Sequence, residues 1–374
     1  MNKKLGLIVN PVAGMGGRVG LKGSDGEEIL NRAKELGAQP EAPRRTVDAL
    51  KALVPMKEDI ELITYPYEMG EDEARKCGLS PIVIGEIRKG ETSATDTRNA
   101  AREMLRFEVD LLLFAGGDGT ARDIYSVIGD RIAALGVPSG VKIHSAVYAT
   151  SPRNAGDLAA FYLGGKSSEV RLSEAEIMDI DEQSFREDRL SARLYGYLKI
   201  PYMKRMIQCA KAGGCAGEQH ALNAIAADVI NNMETKCLYI IGTGTTTRAI
   251  MEQLGLKNTL LGVDAVYNGK LVGSDVNEAQ LLQMVEGKKA KIVVGVIGRQ
   301  GYIFGRGNQQ ISGKVIKKVG KENIIILATL DKITSLKDAP LLVDTGDEEI
   351  DKHLSGYVQV ISGLGERIVL KIEY

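Results

Sequence analysis

The stretch from Asp110 to Thr120 constrains the fold of this chain more than any other. It begins with an apolar run typical of a buried strand and continues with two glycines, an aspartate, a third glycine and a threonine. A helix is predicted to begin near Thr120. Glycines let backbone N–H groups approach a ligand that a Cβ would keep away, and the amino end of a helix favours phosphate. The stretch therefore predicts a phosphate-binding loop between a strand and a helix of an α/β sheet.

The aspartate of this loop, Asp118, is the first candidate for chemistry. A carboxylate beside phosphate is repelled unless a metal ion or a substrate hydroxyl lies between them. Asp118 is therefore predicted to be a catalytic or metal-facing group in a phosphoryl-transfer site. The alternative is that Gly-Gly-Asp-Gly forms only a turn, in which these residue types are common. Its place at the carboxyl end of an apolar strand, where open α/β sheets bind ligands, favours the functional interpretation.

Length, charge and composition limit the classes of function. The chain has 374 residues, which is too long for one ordinary core and suits two domains. A net charge of −1, few aromatic residues and no tryptophan argue against nucleic-acid binding. No apolar stretch approaches the roughly 20 residues needed to span a bilayer, and the apolar run at residues 5–9 is too short for a signal peptide. We expect a cytoplasmic protein without a membrane partner, whose four cysteines are free thiols.

The order of apolar and periodic segments predicts two α/β domains. In residues 1–165, strands are predicted at 5–9, 60–64, 81–84, 132–135 and in the opening motif, with helices at 27–36, 47–53, 95–107 and 154–163. This alternation indicates a parallel, Rossmann-like sheet with helices on both faces. Residues 166–374 are predicted to form a second, mixed α/β domain, with a helix at 220–233 and strands at 238–241, 259–266, 292–297 and 324–327. A hairpin is predicted from 356–362 and 367–374, and its strands could pack back on the first domain.

Four glycine-rich loops follow predicted strands, at Gly14–Gly20, Gly116–Thr120, Gly242–Thr247 and Gly298–Gly307. Without a Walker lysine motif, four such loops indicate nucleotide or phosphate ligands. The third glycine of the first loop comes one position late for the dinucleotide fingerprint, which disfavours a hydride-transfer site. The candidate phosphate-binding residues of the first three loops are Gly14, Gly16, Gly17, Gly116, Gly117, Gly119, Thr120, Gly242, Gly244, Thr245, Thr246, Thr247 and Arg248. For the three threonines, capping of the helix explains the pattern equally well.

Further candidates lie in neighbouring loops. Lys142 and His144 follow a predicted strand and are expected at the same sheet edge as Asp118, although a structural role for His144 stays open. A third group comprises Asp264, Asp275, Asn277, Arg299 and Arg306. Their carboxylate, amide and guanidinium groups suit the binding of ribose hydroxyls, Mg²⁺ or a polyanion; the alternatives are a helix cap or a subunit contact. No group of possible metal ligands in the sequence has a spacing that identifies a particular metal.

Asn10-Pro11 with the glycine loop that follows, together with Gly116 to Thr120, resembles the ATP-NAD kinase superfamily, which is related to diacylglycerol and sphingosine kinases. The loops at 14–26, 136–152, 242–248 and 298–310 are most similar to the branch that includes AcoX, a protein of acetoin catabolism. The resemblance covers essentially the whole chain. It implies phosphorylation of the 2′-hydroxyl of NAD to give NADP, with ATP and Mg²⁺. It also implies that Asp118 is the base or positions Mg²⁺, that Asn10 and the motif glycines line the phosphates, and that the protein is a homo-oligomer.

The chain also departs from the pattern of NAD kinases. Those enzymes carry an Asn-Glu pair in the loop after the next strand, and residues 136–145 contain none. Asn277-Glu278 lies too far downstream for its role to be transferred, and the second domain looks more helical than that of NAD kinases. Two alternatives therefore stay open: a kinase for another hydroxyl-bearing small molecule or lipid, and a nucleotide-sensing protein linked to acetoin catabolism. A lipid substrate is disfavoured because no basic amphipathic surface is evident.

Overall fold

The structure is a computed structural model that describes residues 2–21, 27–140, 143–164, 170–180, 192–203, 206–207, 218–259, 261–297, 300–337 and 339–374. The chain divides into two compact units. Unit 1 comprises Met1–Met15 and Gly23–Ala210, and unit 2 comprises Gly16–Lys22 and Lys211–Tyr374. The boundary predicted between residues 165 and 166 stays a prediction about sequence domains.

Unit 1 is built on a five-stranded parallel sheet with the order β3-β2-β1-β4-β5. The strands are β1 (Lys3–Val9), β2 (Ile60–Thr64), β3 (Ile82–Val83), β4 (Leu111–Gly116) and β5 (Ala133–Pro138). Every residue of β4 and β5 is buried. Burial on both faces explains why these strands read as continuous apolar runs rather than as alternating patterns. The predicted parallel α/β class is thereby confirmed.

The helices of unit 1 are α1 (Glu27–Glu35), α2 (Ala42–Leu50), α3 (Glu71–Lys76), α4 (Ala94–Arg106), α5 (Asp118–Ile128) and α6 (Pro152–Leu163). They include two pairs, α2 with α6 and α4 with α5, and members of both pairs contact β4. Helix α2 begins five residues before the predicted start, because Pro43 suits a first helical turn. It continues as a 3₁₀ helix over Lys51–Met56. The cap of α4 is Ser93, which forms a capping box with Asp96.

A separate antiparallel hairpin, β6 (Arg171–Ile180) and β7 (Ala192–Tyr202), belongs to unit 1. Its inward residues are buried in the same apolar core as the sheet. They are Ala175, Ile177, Leu198 and Ile200. Packing in unit 1 therefore extends beyond the change of pattern that the sequence shows after residue 165.

Unit 2 contains a nine-stranded mixed sheet with the order β10-β9-β8-β11-β13-β15-β16-β14-β12. The strands are β8 (Cys237–Ile241), β9 (Asp264–Tyr267), β10 (Lys270–Gly273), β11 (Lys289–Gly295), β12 (Tyr302–Phe304), β13 (Ile324–Leu327), β14 (Leu341–Val343), β15 (Gly356–Gly363) and β16 (Glu366–Glu373). Strands β8, β11, β13 and β15 are parallel neighbours, while β15 and β16 form the predicted hairpin within this sheet. The predicted mixed α/β class of the second part is confirmed.

The described helices of unit 2 are α7 (Glu218–Asn231), α8 (Thr245–Gln253), α9 (Glu278–Met284), α10 (Gly313–Val319), α11 (Leu330–Ser335) and α12 (Glu348–Leu354). Strand β9 begins five residues later than the predicted strand at 259–266. The difference has a local cause: the Asp264 carboxylate accepts hydrogen bonds from the N–H and the hydroxyl of Thr259, which holds Thr259 beside the start of β9 rather than in the strand. None of the helices in the described residues is long and apolar enough to cross a membrane.

Candidate functional site

The candidate site of unit 1 lies where the chain changes direction across the sheet. Strands β1 and β4 are parallel neighbours. From β1 the chain continues to β2 on one side, and from β4 it continues to β5 on the other. Their carboxyl ends therefore form the topological switch point, which is where open α/β sheets bind ligands. The loop that begins at Asn10 and the loop that begins at Gly117 meet there.

Asn10 joins these two loops. Its side-chain Nδ2 donates a hydrogen bond to Thr120 Oγ1 at 3.0 Å, and its backbone N–H donates to the carbonyl of Ala115 at 3.0 Å. Its Oδ1 accepts the N–H of Val12 at 3.3 Å. The amide of Asn10 thus fixes the first loop against the start of α5, and the predicted residues Asn10 and Thr120 are brought together.

Asp118 is the first residue of α5 and follows the extended residue Gly117. Its Oδ2 accepts the backbone N–H of His144 at 2.9 Å and its Oδ1 accepts that of Ser145 at 3.0 Å. Two backbone donors therefore hold the carboxylate in one orientation. Gly117, Asp118 and Gly119 are only partly buried. The Asp118 side chain itself is 10% exposed, so the result is a fixed and largely buried carboxylate at the amino end of a helix.

The imidazole of His144 lies beside this carboxylate. Its Nδ1 is 3.5 Å from Asp118 Oδ2, and the ring is almost fully buried. The backbone of the His144 loop makes the short contacts to Asp118, whereas the ring packs next to it. The other predicted member of this loop, Lys142, lies outside the described residues.

Close backbone packing explains the glycines of the site. A Cβ on Gly140 would lie 2.9 Å from the Cα of Gly117, and a Cβ on Gly116 would lie 2.4 Å from the Cβ of Thr120. Gly14 has φ of +81°, and a Cβ there would lie 2.0 Å from the carbonyl oxygen of Ser139. These positions exclude larger residues, and they bring three loops to one edge of the sheet.

The sequence did not predict the hydrogen bonds that hold the His144 loop in place at this edge of the sheet. Ser145 Oγ accepts the N–H of Met178 in β6 at 2.9 Å, and the N–H of Ala146 donates to the Glu176 carbonyl at 2.8 Å. The Tyr148 hydroxyl donates to the Gly117 carbonyl at 2.5 Å. The loop that holds Asp118 is thus braced by the hairpin. The only sequence signal was that residues 136–145 form a loop of small residues.

In unit 2, the loop after β8 forms the start of α8. Thr247 Oγ1 donates to the Gly244 carbonyl at 3.0 Å. Thr246 Oγ1 accepts a hydrogen bond from Lys332 Nζ at 2.7 Å, and both threonines are buried.

The remaining candidates of this loop differ in exposure. Thr245 is exposed, and so is Arg248, which forms an ion pair with Glu252 on the helix surface at 2.6 Å. Gly242 is buried, and Gly244 has φ of +117°. Lys332 is a cation of this loop region that the sequence did not single out.

The acidic and amide candidates of unit 2 make local structural contacts. Asp264 is buried and accepts the Asp275 N–H at 3.0 Å in addition to its bonds with Thr259. Asp275 has φ of +49°. Asn277 caps α9, since its Oδ1 accepts the N–H of Gln280 at 3.0 Å. The side chains of Asp264 and Asn277 therefore organise the turn between β10 and α9.

Two further segments of unit 2 contain residues that the sequence analysis proposed as ligand-binding candidates. Gly16 and Gly17 belong to this unit, and a Cβ on Gly17 would lie 3.3 Å from the side chain of Gln309. Arg306 is buried, with its guanidinium carbon 4.8 Å from the centre of the Tyr302 ring. This distance is typical of a cation–π contact. Arg299 lies outside the described residues.

The residues present suit a magnesium ion only in combination with phosphate. Among the described side chains there is no group of three or more histidines, cysteines or carboxylates that could hold a metal. Mg²⁺ is usually held by one or two carboxylates together with substrate phosphates. Asp118 supplies one such carboxylate, which is fixed at the carboxyl edge of the sheet beside the start of α5.

Comparison with known protein families agrees with this geometry. The ATP-NAD kinase N-terminal domain matches residues 5–166, which contain the parallel sheet and Asp118. The ATP-NAD kinase C-terminal domain matches residues 236–371, which contain the nine-stranded sheet. No curated protein matches the chain. Since the two domains of one family follow each other in this order along most of the sequence, the chain belongs to the ATP-NAD kinase family.

Proposed function

We propose that this protein transfers the γ-phosphoryl group of ATP to the 2′-hydroxyl of NAD and so forms NADP. Membership of the ATP-NAD kinase family supports ATP-dependent phosphorylation of a hydroxyl-bearing substrate. The observation that carries the proposal is the position of Asp118. Its carboxylate is held by two backbone N–H groups at the switch point of the sheet, beside the first turn of α5.

In the proposed reaction, the N–H groups at the start of α5 bind phosphate oxygens of ATP, because the first turn of a helix has N–H groups without intrahelical partners. Asp118 accepts the proton of the acceptor hydroxyl or orients that hydroxyl. A bond then forms between the acceptor oxygen and the γ-phosphorus, and the bond to the bridging oxygen breaks, so that ADP leaves. Bound Mg²⁺ would neutralise the phosphate charge. Positioning of this kind is the main contribution of a protein to phosphoryl transfer.

A second acceptor class is favoured by one observation. Residues 136–145 carry no Asn-Glu pair, the feature that NAD kinases use for the ribose and adenine. A kinase that acts on another hydroxyl-bearing small molecule would keep the phosphate loops and Asp118 but would not need this pair. The same phosphate chemistry applies to both acceptors.

The test is to incubate the purified chain with ATP, Mg²⁺ and NAD and to measure NADP with an NADP-specific dehydrogenase. Asp118→Asn should lower kcat about 10²–10⁴-fold, the usual contribution of a general base. The matched control is Asp123→Asn, which removes a carboxylate from the same helix, where it pairs with Arg98, whose side chain is 39% exposed. It should retain activity within about threefold, since an ion pair with a solvent-exposed partner contributes about 1 kcal/mol or less to stability.

Three results would change the proposal. ADP release with other hydroxyl compounds but not with NAD would support the second acceptor class. ATP binding without turnover by any variant would indicate a nucleotide sensor. Equal kcat values for Asp118→Asn and wild type would remove Asp118 from the chemistry.

A further inference from the structure

Unit 2 contains a pocket whose described lining residues include none of the candidates discussed above. Its volume is about 470 Å³, within the range of roughly 300–1,000 Å³ that is typical of small-molecule sites. It lies between α12, the 3₁₀ helix Lys321–Asn323 and the strands β12, β13, β15 and β16. The pocket is therefore a separate candidate for ligand binding.

The walls of the pocket are mostly apolar. Phe304, Ile326 and Ile372 line it from the buried core of the sheet and are at most 3% exposed. Ile324 and Val358 are partly buried and pack against the same core. Water gains little in a cavity with such walls, because it finds few hydrogen-bonding partners there. The walls therefore favour a ligand with a hydrocarbon body.

The pocket lies at the amino ends of β13 and β15. Lys321 and Glu322 come shortly before β13, and Leu354 comes shortly before β15. Strands β8, β11, β13 and β15 are parallel, and the glycine-rich loop at Gly242–Thr247 follows the carboxyl end of β8. The pocket is thus at the opposite edge of the sheet from this loop, and a ligand in it does not compete with phosphate at the loop.

Lys321 provides a fixed positive charge at the pocket. Its Nζ donates to the carbonyls of His353 and Ser355, each at 2.9 Å. An ammonium group has three N–H donors, and these two carbonyls are its partners among the described residues. The carboxylate of Glu322 is exposed and accepts the Nδ2 of Asn323 at 3.2 Å instead. One N–H of Lys321 is therefore left for a ligand, and its charge favours an anionic acceptor.

Volume, apolar walls and charge together define the class of ligand. An apolar cavity of about 150 Å³ holds one benzene molecule, so about 470 Å³ holds at most about three times as many non-hydrogen atoms, roughly 18. A chain of about 8–12 carbons fits within this limit. We propose that the pocket binds a medium-chain monocarboxylate, with its hydrocarbon chain among the isoleucines and its carboxylate on Lys321.

The first experiment is isothermal titration calorimetry of the full chain with hexanoate, octanoate, decanoate and dodecanoate. The dissociation constant should fall about fourfold for each added methylene, until the chain fills the pocket. For decanoate it should be roughly 1 mM or lower. Decanol and decylamine have the same chain without the negative charge, and they should bind at least about tenfold more weakly.

Substitutions in the walls assign the binding to this pocket. Val358→Phe places a ring in the space of several methylenes and should weaken decanoate binding at least about tenfold. Val369→Phe is the matched control, because it makes the same change on the opposite face of the same hairpin, where Val369 is 61% exposed. Ile324→Phe repeats the test from β13, and circular dichroism with thermal unfolding establishes which variants are folded.

The charge is tested separately. Lys321→Met keeps an unbranched side chain and removes the ammonium group. It should weaken decanoate binding about tenfold or more and leave decanol binding unchanged. This difference between the two ligands would not arise from a general loosening of the fold.

Three results would overturn the proposal. They are the absence of decanoate binding up to about 5 mM, decanoate binding that both phenylalanine substitutions in the walls leave unchanged, and equal affinities of the wild type for decanoate and decanol. Because the readout is ligand binding rather than activity, failure here is separate from failure of the proposed kinase reaction.

Discussion

Glu73 of α3 provides a test of the packing of unit 1 that does not depend on the function. Its side chain is buried, and Oε2 has no hydrogen-bond partner within the described structure. Burial raises the pKa of this carboxyl from 4.5 to about 7, and the nearby charge of Lys76 lowers it only in part. The folded protein therefore keeps a proton on Glu73 at pH values where the unfolded chain releases it.

This difference makes the free energy of unfolding depend on pH. Between pH 4.5 and about 7 the folded state binds more protons than the unfolded state, so stability falls as pH rises through this window. A change in pKa from 4.5 to about 7 corresponds to about 3 kcal/mol, at about 1.4 kcal/mol per pKa unit. The contribution is fully present below pH 4.5 and is lost above pH 7.

Glu73→Gln keeps the size and polarity of the side chain and removes the titration. We expect the stability advantage of the variant over the wild type to be about 2–3 kcal/mol larger at pH 8 than at pH 5. Urea unfolding followed by circular dichroism at pH 5, 6, 7 and 8 measures the difference. Glu61→Gln is the control, because it makes the same substitution at a partly exposed position in β2 of the same unit. Parallel pH profiles for wild type and Glu73→Gln, or an equal change in the control, would refute the reasoning.

Two further predictions concern the loops around Asp118. Ser145→Ala removes the acceptor of the Met178 N–H in a buried position. It should lower stability by about 1–3 kcal/mol, measured by urea unfolding, and it should reduce kcat more than KM because it loosens the support of the carboxylate. Gly140→Ala introduces a Cβ at 2.9 Å from the Cα of Gly117, so kcat should fall at least about tenfold while circular dichroism spectra stay unchanged. Wild-type kinetics for either variant would show that the loop tolerates the change.

The part of the site that the sequence predicted is local. The apolar run of β4 continues directly into its glycine loop and α5, so a single stretch of residues defines the strand, the loop and the place of Asp118. The terminal hairpin was predictable for the same reason, since its two strands and its turn adjoin in sequence. Patterns of neighbouring residues suffice wherever the interacting groups are close along the chain.

The contacts that orient the site are distant in sequence and use groups without a residue signature. The donors to Asp118 are backbone N–H groups 26 and 27 residues away, and any residue other than proline supplies such a group. Lys332 reaches Thr246 from 86 residues away. No periodicity or motif connects these positions, and only the pairing of strands brings them together.

The same contacts bear on the choice of acceptor. In the proposed reaction, every feature of the candidate site acts on phosphate or on a hydroxyl, and these groups are common to all acceptors. Recognition of a nucleotide base needs side chains with hydrogen-bonding groups directed at the ligand, because a site selects a polar substrate by satisfying its donors and acceptors. In the loop after β5, however, Ser139 Oγ donates to the Val137 carbonyl and Ser145 Oγ accepts from β6. Both hydroxyls are used to shape the loop. Substitution of these serines would therefore report on the shape of the loop rather than on the acceptor, and a screen of hydroxyl substrates is more informative.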